Sequence, residues 1–171
     1  MDYFIRLAED KDCRILAYLK KDIWETTYRG IYPDVKFNAY DYNKEEDKFR
    51  NIVNNSEVDL YVVIVNDEIV GYMSFGKPLR PFRDYEQDIS LFYLKKDIQH
   101  KGIGRDLFSL AYESIKFKGY NKFFISCNKY NVDARLFYEK MGGIIVFEDE
   151  DNEDKSLPQV KFNFDIRRNE L

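Results

Sequence analysis

The sequence is short of the residues that carry several common chemistries. It has one histidine, His100, so a histidine-based metal site has no ligand set to draw on, and no metal is expected. Its two cysteines, Cys13 and Cys127, form neither a CxxC pair nor a zinc spacing, which points to a reducing, cytoplasmic compartment. An excess of cations is missing as well: 27 Lys and Arg stand against 31 Asp and Glu, a net charge of −4. A protein that grips the phosphate backbone needs the opposite balance, so no nucleic-acid partner is expected. The longest apolar runs, such as residues 61–65, fall well short of the ~20 residues that span a bilayer, and no membrane association is expected. The opening residues 1–6 have neither the basic nor the apolar region of a signal peptide. Four prolines and eight glycines mark turns rather than a linker, and no internal repeat is visible.

What is present is a chain of 171 residues, 44% hydrophobic and 34% charged. That length suits one domain over residues 1–171, able to bury roughly 70% of its unfolded surface without a metal or disulfide. Residues 3–7 read as a first strand. Asp10 or Asp12 is placed to cap a helix through Ile15, Leu16, Leu19, Ile23, Trp24 and Tyr28, which stops near Gly30 and Pro33. The polar segment 34–57 carries a helix around 44–54. Residues 60–65 and 69–76 form a hairpin about Asn66-Asp67, and 77–87 a loop. Residues 88–94 make the next strand, with Ile89, Leu91 and Tyr93 alternating against Ser90 and Phe92. An amphipathic helix over 105–118, a strand at 123–127, a helix opened by Asn131 and ended by Gly142-Gly143, and strands at 144–147 and 160–166 complete the order. An acidic stretch, 148–154, joins the last two strands. This is an α+β or mixed α/β layout around one sheet.

The turn Gln99-His100-Lys101-Gly102-Ile103-Gly104 carries the most chemistry. It follows a strand and opens a helix. Glycines there let the backbone adopt positive φ and approach a ligand, and helix-start N–H groups favour an anion. Lys101 and Arg105 add positive charge. The pattern is neither a Walker A loop nor GxGxxG, and a plain strand-to-helix turn accounts for the hexapeptide equally well.

The run Asp88-Ile89-Ser90-Leu91-Phe92-Tyr93-Leu94 followed by that turn resembles motif A of the GCN5-related N-acetyltransferases (GNAT), with its Q/R-x-x-G-x-G/A signature. Asn131-Val132-Asp133-Ala134-Arg135-Leu136-Phe137-Tyr138-Glu139-Lys140-Met141-Gly142 resembles motif B, N-x-x-A-x-x-F-Y-E-x-x-G, and residues 5–12 resemble the family's first strand and helix start. One departure is Gly143, where the family usually has an aromatic residue, and looser packing of the sixth strand is expected there. The resemblance implies one mixed, mostly antiparallel sheet of six or seven strands, splayed between the fourth and fifth, with about four flanking helices.

It also implies an acetyl-CoA-dependent N-acetyltransferase that transfers acetyl directly to a primary amine. By that resemblance, backbone groups near Tyr93 and Leu94 meet the pantetheine arm and polarise the thioester. Gln99, His100, Lys101, Gly102, Ile103, Gly104 and Arg105 match the pyrophosphate loop, and Asn131 the motif-B asparagine on the pantetheine arm. Tyr138 matches the tyrosine that protonates the leaving thiolate, with Phe137 the better core residue. Asp88 matches an acidic position suited to take the amine's proton. Glu86 or a water relay are the other candidates for that step. His100 lies on the wrong side for it. Cys127, without a nearby histidine, reads as a buried strand residue rather than a nucleophile.

Acceptor recognition in the family draws on segments that here hold Trp24, Tyr28, Tyr32, Phe75 and Tyr85, with the acidic 148–154 run. Aromatics and carboxylates suit a cationic amine, although core packing explains the aromatics and solvation the acidic run. Arg80 and Arg83 suit an acceptor carboxylate instead. The stretch W-x-x-T-Y-x-G-I-x-P, at residues 24–33, resembles one found in some members, PaiA-type polyamine acetyltransferases among them. The acceptor is thus a small-molecule amine, polyamine-like or other, or a peptide amine. A non-catalytic acyl-CoA-binding regulatory module is the alternative. Monomer and homodimer both stay open.

Overall fold

The structure, a computed structural model, describes residues 1–166. Its elements run β1 (Phe4–Leu7), α1 (Cys13–Tyr28), α2 (Asp34–Asn38), α3 (Tyr42–Val53), β2 (Val58–Val65), β3 (Glu68–Gly76), β4 (Asp88–Leu94), α4 (Ile103–Phe117), β5 (Lys122–Asn128), α5 (Val132–Lys140), β6 (Ile144–Glu148) and β7 (Gln159–Asp165). The β2–β3 hairpin turns where Asn66 and Asp67 take positive φ, 49° and 65°, the twist that matches an antiparallel pair. The short α2 falls in the polar 34–57 segment, where no apolar period announces it.

The sheet order is β1-β2-β3-β4-β5-β7-β6. Every neighbouring pair is antiparallel except β4 and β5, whose parallel pairing holds at Asp88–Phe124 and Ile89–Ile125 and goes no further. Beyond Ile89 the two strands part, which is the splay expected between the fourth and fifth strands. One face of the sheet is covered by α4, whose Leu107, Ala111 and Ile115 pack on Met73, Phe123, Phe162 and Phe164. The other is covered by α1 and α3, with Leu16, Leu19, Ile23 and Phe49 on Leu60, Val62 and Tyr72.

Four local expectations change. First, β4 is not a plain alternating strand: Leu91 pairs with Ser74 and Ile89 with Phe75, so Ser90 is an extra, bulged residue. The bulge turns Ile89, Phe92 and Leu94 to one core and Leu91 and Tyr93 to the other. Second, Asp12 does not cap α1 through its side chain. Its carboxylate takes the Arg6 guanidinium at 2.7 and 3.0 Å and the Glu9 N–H at 2.8 Å. Third, Gly143 tightens its site rather than loosening it. A Cβ there would lie 2.6 Å from the Phe164 ring and 2.9 Å from the Tyr138 carbonyl oxygen. The Gly143 and Gly142 N–H groups instead reach Tyr138 O (2.9 Å) and Glu139 O (3.0 Å), the paired bonds of a Schellman cap. Fourth, Ile15 is 51% exposed and takes no part in the core that its helical spacing suggested.

β3 approaches the end of β4 most closely at Gly71, where a Cβ would meet the Leu94 side chain and lie 2.8 Å from the Tyr93 carbonyl oxygen. Gly71→Ala should therefore cost about 1–3 kcal/mol by overpacking. Urea unfolding should show a lower midpoint at unchanged slope; an unchanged midpoint would contradict this approach.

Candidate active site

The parting of β4 from β5 opens a cleft of about 1610 Å³. Its first wall is the start of α4. His100 and Gly102 take left-handed φ of 60° and 87°, which folds Lys101 outward between them. Nothing lies within 4 Å of a Cβ built on Gly102, so glycine is needed there for backbone conformation, not for space. Ile103, 1% exposed, anchors the turn in the core. Gly104 fits against α5, since a Cβ on it would sit 3.4 Å from Phe137. No side chain caps α4, so its first N–H groups are unclaimed where Lys101 and Arg105 add positive charge. That is a cradle for an anion. Gln99 turns the other way, its Nε2 donating to Leu94 O at 3.1 Å.

The second wall is α5. Asn131 Oδ1 accepts from the Ala134 N–H at 3.2 Å and caps the helix, while its Nδ2 donates to Tyr28 Oη at 3.3 Å. Tyr138 is 5% exposed yet lines the cleft, its ring edge-on to Phe92 and tilted on Phe162. Its hydroxyl has no hydrogen-bond partner among the described residues. Burial pushes its pKa well above the usual phenol value, so it keeps its proton at neutral pH. Phe137 is less buried than Tyr138 and faces the cleft, the reverse of the expected division between them. The core claims Tyr138's ring because α5 lies with that edge on Phe162.

Asp88 stands at the start of β4, 5% exposed, on the cleft wall. Ser90 Oγ lies 2.6 Å from both of its carboxylate oxygens, a contact that the bulge makes possible. Burial pushes the Asp88 carboxyl up to about 7, against the Ser90 hydrogen bond and the Lys161 charge, which both pull it down. Glu86 is exposed and off the cleft, which separates it from Asp88. Burial likewise pushes the Cys127 thiol up to about 12, so it is a protonated, weak nucleophile. Tyr93 and Leu94 line the cleft at the end of β4, and His100 on the cradle side.

On the far side, Tyr28 and Tyr32 stack at 4.2 Å, and Trp24 meets Tyr32 edge-on at 5.8 Å with Lys20 Nζ 5.1 Å from its ring. All three aromatics reach the cleft. Phe75 does not: it is fully buried, stacked on Tyr61 at 5.8 Å, and an apolar strand pattern alone cannot tell the cleft from the core. Tyr85 is spent on Phe124 and on Asn163 Oδ1, 2.8 Å away. The acidic run is tied to its own hairpin and to the segment that follows β5. Asp151 pairs with Lys129 at 3.2 Å and Tyr130 at 2.8 Å, Asp149 accepts from the Gln159 N–H at 2.9 Å, and none of 148–154 lines the cleft. Sequence reasoning passed over Ser90 and Lys161. A serine two residues after Asp88 in an otherwise apolar strand was the available signal for the first; nothing in the alternation of β7 marks the second.

A splayed sheet, an uncapped helix start beside two cations, a buried carboxyl and a buried phenol thus meet on one cleft. Residues 16–143 match the acetyltransferase (GNAT) family model, and the chain belongs to that family. It is similar to the uncharacterized N-acetyltransferase YuaI of Bacillus subtilis (strain 168), at 29% identity over 149 residues, 85% of this chain and 82% of that one. Among solved structures it is similar to PaiA N-acetyltransferase from Thermoplasma acidophilum in complex with coenzyme A, with TM-score 0.78, 19% identity and 96% and 99% of the two chains covered. Ribosomal-protein-alanine N-acetyltransferase from Brucella melitensis is a further neighbour, with TM-score 0.72, 19% identity and 95% and 99% covered. These two likenesses speak for the fold.

A carboxyl held near 7 in the folded chain and near 3.8 when unfolded binds more protons in the native state between those values. Its contribution to stability is favourable below that window and is lost as pH rises through about 7. Asp88→Asn should remove this pH dependence and raise the urea midpoint at pH 8 relative to wild type more than at pH 4. Equal effects at both pH values would show that Asp88 titrates normally.

Proposed function

We propose that the chain works as one cytoplasmic acetyltransferase domain that binds acetyl-CoA and passes the acetyl group directly to a primary amine of a small molecule or peptide. The observation that carries this reading is the single cleft where β4 and β5 part, with Asp88 and Tyr138 both on its walls. The unclaimed N–H groups of α4, with Lys101 and Arg105, hold the pyrophosphate of acetyl-CoA. Beyond Ile89, β4 has no β5 partner among the described residues, so the backbone groups near Tyr93 and Leu94 that β3 and Gln99 leave unclaimed meet the pantetheine arm and the thioester oxygen. Phe137 offers the arm an apolar wall.

Asp88 accepts a proton from the incoming amine, directly or through one water. The amine nitrogen then bonds to the acetyl carbon as the carbon–sulfur bond breaks. Tyr138 donates its proton to the departing thiolate sulfur. Both groups are tuned by the same force. Burial brings the acid Asp88 into the range of a neutral-pH base and keeps the phenol Tyr138 protonated until charge develops on sulfur. Trp24, Tyr28 and Tyr32 shape the acceptor side. In this reading Cys127 carries no acyl group.

Release of CoA thiol from acetyl-CoA, measured against a panel of amines, tests this. Tyr138→Phe and Asp88→Asn should each lower kcat/KM by about 10²-fold or more. The wild-type profile should rise with pH through about 7, and Asp88→Asn should lose that limb. Acetyl-CoA should still stabilise both variants against heat, by ~2.7 kcal/mol at a hundredfold excess over Kd. Stabilisation with no transfer to any amine would favour a non-catalytic acyl-CoA-binding module.

A further inference from the structure

The acceptor side of the cleft carries two cations, Arg80 and Lys161, that make no ion pair among the described residues. Strand register sets Asp88 opposite Phe124 and Lys161 opposite Ser126, which places all four on one face of the sheet. Lys161 is half-buried and lines the cleft, its Nζ 5.1 Å from the Phe82 ring and 5.4 Å from the Phe124 ring. It donates to Ser126 Oγ at 2.7 Å and has no ion-pair partner among the described residues. Asp149 and Asp88 act on its charge only from beyond ion-pair distance, so this partly desolvated ammonium gains from a carboxylate that a ligand brings into contact.

Arg80, an exposed residue of the loop between β3 and β4, lies close enough for its charge to act on Lys161. The preceding Leu79 N–H lies 3.4 Å from Ser90 Oγ, so this loop sits over the hydroxyl that holds Asp88. Arg80 lines the cleft, and its charge reaches Lys161, Tyr93 and Lys20. It too makes no hydrogen bond or ion pair among the described residues. Further out, Lys20 and Lys48 share one carboxylate, Glu45, at 2.6 and 3.0 Å. Lys20, Lys48, Arg80 and Lys161 set four cations along this side of the cleft, with Glu45 and Asp88 the carboxylates among them.

We propose that the acceptor is an amine that also carries a carboxylate, with its amine beside Asp88 and its carboxylate held by Arg80 and Lys161. The proposal rests on the acetyl-transfer reading above. The planar Arg80 fork suits a carboxylate, and the same two cations favour the neutral, nucleophilic form of the neighbouring amine.

The test compares alanine, methionine and phenylalanine, each beside its carboxamide, with spermidine as the polycation. CoA-thiol release is followed in wild type, Arg80→Ala, Arg80→Glu and Lys161→Met. At least one amino acid should exceed its carboxamide in kcat/KM by about tenfold or more, with spermidine poorer than either. Arg80→Glu should erase or invert that preference chiefly through KM, and Lys161→Met, which keeps the apolar stem, should weaken it. A second readout needs no turnover: calorimetric binding of the three N-acetyl amino acids and their carboxamides to the CoA-loaded protein. Preferential binding of the acids, lost in Arg80→Glu, with no amine acetylated would support the anion site and overturn the transfer reading. Acetylation without preference for the acid, or with spermidine preferred, would overturn the anion site and leave transfer standing. Equal or absent binding of acids and carboxamides, together with no acid-selective turnover, would also overturn it.

Discussion

Two residue pairs hold β4 to β5, and the structure's chemistry depends on their being only two. A longer parallel ladder would satisfy the β4 backbone and close the sheet. Because the pairing stops at Ile89, the β4 backbone groups that would have met β5 are left facing a cleft, where Gln99 takes the Leu94 carbonyl. The Ser90 bulge is the local device that accompanies this parting. It keeps β4 paired with β3 while changing which side chains face each core. It also puts a hydroxyl within 2.6 Å of Asp88.

Desolvation then does two kinds of work with one cause. It disfavours the charged forms of Asp88 and Tyr138, so the carboxyl rises toward neutral pH while the phenol moves out of range. In the proposed reaction the first is ionised near neutral pH and so available as a base, and the second still holds the proton that the leaving thiolate needs. Lys161 experiences the same burial with the opposite sign, its pKa lowered, and among the described residues no carboxylate lies within ion-pair distance of it. An acceptor's own charge completes that balance.

Much of this was legible in the residues. The β4 boundaries, the glycine turn, the Asn131 cap and the glycine stop of α5 all follow from local chemistry that tertiary packing did not override. Motifs A and B placed Asp88 and Tyr138 on facing elements. The misses have physical causes. A bulge adds one residue to a strand without changing composition, so the alternation of Ile89, Leu91 and Tyr93 looked regular. Phe75 and Phe137 exchanged expected environments because apolarity gives a burial tendency, not a direction. The acidic run looked like an acceptor surface until its carboxylates proved to bind Lys129, Tyr130 and Gln159. Asp12 looked like a helix cap because its partner, Arg6, sits in a strand.

The central claim is that the gap between β4 and β5, together with the start of α4, is where acetyl-CoA lies. Backbone amide shifts of the isotopically labelled protein during a CoA titration test it most directly. Saturable shifts concentrated at Phe92, Tyr93 and Leu94 and at Gly102, Ile103, Gly104 and Arg105 are the predicted result. Saturable binding that leaves those amides unmoved and shifts another surface would contradict the account.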